Sequence, residues 1–101
     1  MLNMKKTVDG GTLRYYLEGD LDRVTASDFE SDIFACLADV KELIVDLEKL
    51  EYISSAGLRS FVKLQKQMDK QGEMRLVGVQ KGVYDIFALG GFTDYLNIES
   101  L

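Results

Sequence analysis

Leu43-Ile44-Val45-Asp46-Leu47, followed by Leu50-Glu51-Tyr52-Ile53-Ser54-Ser55-Ala56-Gly57-Leu58-Arg59, is the stretch that decides how this 101-residue chain folds. Its first five residues are partly β-branched and nearly continuous in apolar character, which suits a central strand covered by its neighbours. Two hydroxyls then stand where the apolar run has ended. Beyond them Leu58, Phe61, Val62 and Met68 fall on one stripe of an amphipathic helix. A strand that passes through a short polar loop into a helix is half of a crossover unit, so a partly parallel sheet is expected.

Towards the N-terminus, Leu2–Val8 and Thr12–Glu18 read as strands around Asp9-Gly10-Gly11, a strong hairpin signal. Leu13, Tyr15 and Leu17 alternate there with Arg14, Tyr16 and Glu18, the period of a half-buried strand. Gly19-Asp20-Leu21-Asp22 breaks that alternation and reads as a turn. Thr25 or Ser27 is expected to cap a helix from about Ala26 to Ala38, with Asp28 in its first turn and Phe29, Ile33, Phe34 and Leu37 following at helical spacing.

Towards the C-terminus, Gln71-Gly72 closes the second helix and Met74–Val79 forms a strand. Val83, Ile86 and Phe87 mark a third helix ending at Gly90-Gly91, and Tyr95–Ile98 is a last edge strand or a tail. The expected architecture is a single α/β domain over residues 1–101, in the order β-β-α-β-α-β-α. Its mixed central sheet has an antiparallel hairpin at one side and helices packed mainly on one face. No proline, low-complexity tract or linker suggests a boundary.

Composition narrows the chemistry. With 12 basic and 17 acidic residues the net charge is −5, which argues against nucleic acid or an anionic membrane as partner. No run approaches the roughly 20 apolar residues of a membrane span. The single cysteine, Cys36, excludes an internal disulfide and reads as a buried, inert thiol of a cytoplasmic protein. Histidine is absent, which removes triad hydrolases and most zinc enzymes. No catalytic residue, metal ligand or cofactor is expected, and the chain is small enough to act as a monomer.

Three features remain as candidate sites. Ser54 and Ser55 lie at a helix start, where a hydroxyl can cap the helix or carry a phosphate that the N-terminus tolerates. Asp20 and Asp22 place carboxylates on the sheet edge that those serines share, the edge where α/β sheets carry function. Arg59, Lys63, Lys66 and Lys70 form a basic stripe beside the second helix's apolar face, either a solvated surface or a match for an acidic partner. Two readings follow: a phospho-regulated binding module, or a constitutive scaffold or small-ligand or nucleotide sensor whose serines only cap the helix. An enzyme built on Asp22 and Asp46 finds no base–nucleophile pairing.

Gly19-Asp20-Leu21-Asp22-Arg23-Val24-Thr25-Ala26, the Ile44–Leu58 segment and Gly72-Glu73-Met74 with Val83–Phe92 together resemble the STAS domain, specifically the stand-alone bacterial anti-sigma factor antagonists. The resemblance implies a non-enzymatic switch. Unphosphorylated, such a protein sequesters an anti-sigma factor that is also a serine kinase; phosphorylation releases it, and a PP2C-type serine phosphatase resets the cycle. Matched by position, the phosphoacceptor falls on Ser55, and the partner-facing residues on Asp22, Thr25, Ser54, Ala56, Gly57, Arg59 and Lys63. The family often has Asp before the acceptor and a hydroxyl residue after it. Here Ser54 and Ala56 stand there, which makes Ser54 the alternative acceptor.

Overall fold

The computed structural model describes residues 2–101. Strands β1 (Leu2–Asp9) and β2 (Thr12–Leu21) form the expected hairpin, with Gly10 in the left-handed region at φ 61°. Then follow α1 (Arg23–Phe34), β3 (Glu42–Ile53), α2 (Ser55–Asp69), β4 (Glu73–Val79), α3 (Lys81–Leu89), a 3-10 turn at Phe92–Asp94 and β5 (Ile98–Ser100). No helix among the described residues is long and apolar enough to cross a membrane.

Spatial order in the sheet equals chain order, β1-β2-β3-β4-β5; β1 and β2 are antiparallel and every later pair is parallel. Each of the three crossovers therefore steps one strand in the same direction. Right-handed connections that step alike place all their helices on the same side of the sheet. Burial follows from this: Leu13, Tyr15 and Leu17 of β2 are buried beneath the helices, while Tyr16 and Glu18 face solvent. A chain of tilted and edge-on rings crosses the helix layer from Tyr15 to Phe29, Phe61, Phe87 and Phe92, with centroids 5.5, 5.6, 6.0 and 6.5 Å apart. One aromatic from each element locks α1, α2 and α3 to one another, each pair adding about 0.5–1.5 kcal/mol beyond burial.

The opposite face is bare and polar. Arg14 pairs with Asp46 at 3.4 Å, and Arg75 with Glu42 at 3.8 Å and Glu99 at 3.0 Å. Between the two arginines in register lies Ile44, which is buried although it points to this face. Long stems of flanking arginines cover such a residue.

Several element boundaries differ from the sequence reading. β2 continues through Gly19-Asp20-Leu21, because those residues pair with Leu50, Tyr52 and Ile53 of β3. β3 continues past Leu47, since register shifts against β2 turn Glu48 and Lys49 outward and return Leu50 and Ile53 to the core. α1 starts three residues early because Asp22, not Thr25 or Ser27, is its cap. It also ends at Phe34 rather than Ala38; Leu37 and Val40 still reach the core from a turn, with Asp39 in the left-handed region at φ 64°. Cys36 is half-buried rather than buried, its thiol donating to the Asp32 carbonyl at 3.2 Å. Of the tail, Ile98 belongs to β5, pairing with Leu76.

Beyond Asp46, β3 has lost β4 as a partner but keeps β2 to its last residue. The two strands rise past the sheet as a ribbon. Its tip carries the serines.

Candidate functional site

At that tip Leu21, the last residue of β2, pairs with Ile53, the last residue of β3, and Ser54 N–H donates to the Leu21 carbonyl at 2.9 Å. Adjacent parallel strands thus end at one level and release α1 and α2 side by side. The next residue on each strand is the helix cap: Asp22 for α1 and Ser54 for α2.

The two serines therefore have different work. Ser54 Oγ accepts from Gly57 N–H at 3.3 Å, satisfying one of the helix's unpaired donors. Ser55 is the first helical residue; its side chain is exposed and makes no hydrogen bond among the described residues. Ala56 is half-buried against the core, and Gly57 is buried. A Cβ at position 57 would lie 2.8 Å from Ile53 Cγ1 and 2.9 Å from two carbons of Leu21. The glycine lets α2 seat directly on the ribbon's tip.

Asp22 is held as firmly. Its Oδ1 accepts from the N–H groups of Val24 and Thr25, each at 2.9 Å, and Thr25 Oγ1 in turn accepts from Asp22 N–H at 2.9 Å. This reciprocal capping box engages Thr25 in the same task. The Thr25 N–H is the main reason that the Asp22 carboxyl lies below its usual value, against a smaller upward push from burial. Asp22 thus remains ionised beside the serines.

Behind the caps, a polar contact joins the two helices. Ser60 is fully buried and donates to Glu30 Oε2 of α1 at 2.5 Å, while Lys63 Nζ reaches Glu30 Oε1 at 3.1 Å. Burial raises the Glu30 carboxyl, but the Ser60 hydroxyl and the Lys63 ammonium outweigh it and hold the group below its usual value. Lys63 is thereby engaged within the molecule. Arg59 is exposed and has no ion pair among the described residues.

Sequence reading passed over Val24 and Tyr52, which are 74% and 49% exposed and stand just after the Asp22 cap and just before the Ser54 cap in the chain. An apolar side chain that neither strand nor helix periodicity turns inward was the available signal. Ser60 was also missed. A serine within the buried stripe of Gly57, Phe61, Leu64 and Met68 requires an acceptor from the facing helix, and Glu30 supplies it.

The STAS domain family model matches residues 3–100. The chain belongs to the STAS domain family. A Bordetella bronchiseptica protein named as an anti-sigma factor antagonist, BtrV, is 34% identical to this STAS domain over 93 residues, covering 88% of it and 80% of the relative. The crystal structure of an anti-sigma factor antagonist from Mycobacterium paratuberculosis superposes with a TM-score of 0.90 at 22% identity, over 100% of this chain and 87% of the other. SpoIIAA of Bacillus, solved in its phosphorylated form, superposes at 0.73 with 17% identity over 97% and 90% of the two chains. These structural likenesses establish that the STAS domain has their fold: a mixed five-stranded sheet with three helices on one side.

Proposed function

We propose that this STAS domain is an anti-sigma factor antagonist that works as a phospho-regulated binding switch in the cytoplasm, not as an enzyme. With Ser55 unmodified, the ribbon tip binds an anti-sigma factor that is itself a serine kinase. Val24, Tyr52 and the exposed parts of the capped helix starts form the contact. In the phosphorylation step the Ser55 Oγ–P bond forms as the bond from the γ-phosphorus of ATP to its bridging oxygen breaks; ADP leaves and the hydroxyl proton passes to the kinase. The new phosphate adds about −1.5 to −2 charge. That charge lies among Val24, Tyr52 and the ionised Asp22, and it expels the partner. A PP2C-type serine phosphatase reverses the modification.

The observation that carries this reading is the division between the two serines. Ser54 holds the cap, so Ser55 can take a phosphate without undoing the start of α2. The names of the relatives support the choice of partner class. The test is to incubate the protein with its cognate anti-sigma kinase and ATP, then locate phosphate by mass spectrometry. Label on Ser55, and none in Ser55→Ala, is the expected result. Label on Ser54 in both proteins moves the acceptor to the alternative serine. No label on either, with unchanged partner binding by Ser55→Asp, leaves a constitutive scaffold or ligand sensor in its place.

A further inference from the structure

The four arginines of this chain fall into two kinds. Arg14 and Arg75 lie on the bare face of the sheet and are held by Asp46, Glu42 and Glu99. Arg23 and Arg59 are exposed at the ribbon tip and have neither an ion pair nor a side-chain hydrogen bond among the described residues. Unpaired arginines are notable in a chain where acidic residues outnumber basic ones 17 to 12. The charge of Arg59 adds the last of several favourable contributions to the Glu30 carboxylate, whose oxygens already hold Ser60 and Lys63.

Arg59 follows Ser55 by four residues on α2, so the two side chains are neighbours on one helical face, with Cβ atoms about 5–6 Å apart. Both side chains are exposed, and the guanidinium has no ion pair or side-chain hydrogen bond among the described residues. A planar five-donor cation at this spacing matches phosphate oxygens better than a lysine could.

We propose that Arg59 is the internal receptor of the phosphate on Ser55, closing onto its oxygens as a bidentate pair once the group is attached. The proposal rests on Ser55 as acceptor. It adds a consequence that the switch alone does not require: the phosphate is drawn down along α2 and ordered there. The phosphorylated form then presents a fixed, partly neutralised surface, and against the opposing charge of Asp22 its dianion persists to lower pH than it would without Arg59, the second ionisation of phosphoserine lying near pH 6.

The test installs phosphoserine at position 55 during translation, so no kinase is needed. The phosphorus-31 resonance is then titrated in the otherwise unchanged protein and in Arg59→Gln, Arg59→Lys and Arg23→Gln. The expected result is an apparent pKa about half a pH unit higher in Arg59→Gln, the scale of one exposed ion pair, with partial recovery in Arg59→Lys. The difference should shrink at high salt. The modified protein should also lose about 2–4 °C of melting temperature with Arg59→Gln, more than the unmodified protein loses. Equal titrations in the unchanged and Arg59→Gln proteins overturn the proposal, as does a loss confined to Arg23→Gln. Kinase labelling of Ser55 is scored separately. A phosphorus shift without labelling sinks the acceptor assignment alone, and labelling without a shift sinks only the role of Arg59.

Discussion

Replacing Gly57 by alanine tests whether the site depends on α2 seating against the ends of β2 and β3. The added methyl would lie 2.8 Å from Ile53 Cγ1 and 2.9 Å from Leu21 Cδ2 and Cγ. Carbon atoms at rest are about 3.5–4.0 Å apart, so each contact overlaps by nearly an ångström. Leu21 is 0% and Ile53 2% exposed, and neither can swing into solvent. Overpacking of this kind costs about 1–3 kcal/mol, against about 0.5–1 kcal/mol gained by removing a glycine from a helix. Gly82 in α3 provides the control, since a Cβ there meets nothing within 4 Å. Gly82→Ala should raise stability by about 0.5–1 kcal/mol, whereas Gly57→Ala should lower it by about 0.5–2 kcal/mol. At roughly 4–8 °C per kcal/mol, thermal melts followed by circular dichroism separate the two substitutions, and urea midpoints should agree. A Gly57→Ala protein as stable as the unchanged one would refute the close seating of α2 and with it the account of why the motif carries glycine.

Ser54→Ala removes the α2 cap and should cost about 1 kcal/mol, while Ser55→Ala should stay within about 0.5 kcal/mol of the unchanged protein; urea denaturation compares them. Glu30, Asp32 and Asp22 all lie below their ordinary values of 4.5, 3.8 and 3.8 in the folded chain. Asp32 owes this first to the Tyr15 hydroxyl at 2.6 Å and then to Lys6. Because the unfolded chain binds protons more readily at these groups, their contribution is complete above the ordinary values and is lost as pH falls through the lower folded ones. Urea midpoints measured across acid pH should therefore decline below about 4.5, and Glu30→Gln should make that decline shallower. Tyr15→Phe should cost about 1–3 kcal/mol, because it removes the Tyr15–Asp32 bond from a buried ring whose own ionisation is pushed upward by burial and Asp32.

The sheet was largely legible because Leu13, Tyr15 and Leu17 alternate and Leu43–Leu47 is apolar except for Asp46, so each strand announces which faces it buries. The ends of the elements were less so. Glu48 and Lys49 look like the end of β3, and only the register shifts against β2 allow the strand to carry two charges outward and resume with Leu50. Asp22 looks like part of a turn, because its capping partners Val24 and Thr25 are poor helix formers and hide the first turn of α1. Both ambiguities meet at the ribbon tip. Local periodicity identified the serines, but not that Asp22 and Ser54 begin neighbouring helices at one level, a fact belonging to the pairing of Leu21 with Ile53.

That pairing also accounts for why two consecutive serines are useful. A single hydroxyl at the start of α2 would have to satisfy Gly57 N–H and accept modification, and attaching a phosphate would disturb the cap on which the helix start depends. With Ser54 fixed by the Leu21 carbonyl on one side and Gly57 on the other, the next hydroxyl is free to change state. Added negative charge at the first turn of a helix is itself favourable by about 0.3–1 kcal/mol. The proposed modification of Ser55 is thus compatible with the fold, its charge meeting Arg59 within the chain and the proposed partner surface of Val24, Tyr52 and the two caps outside it.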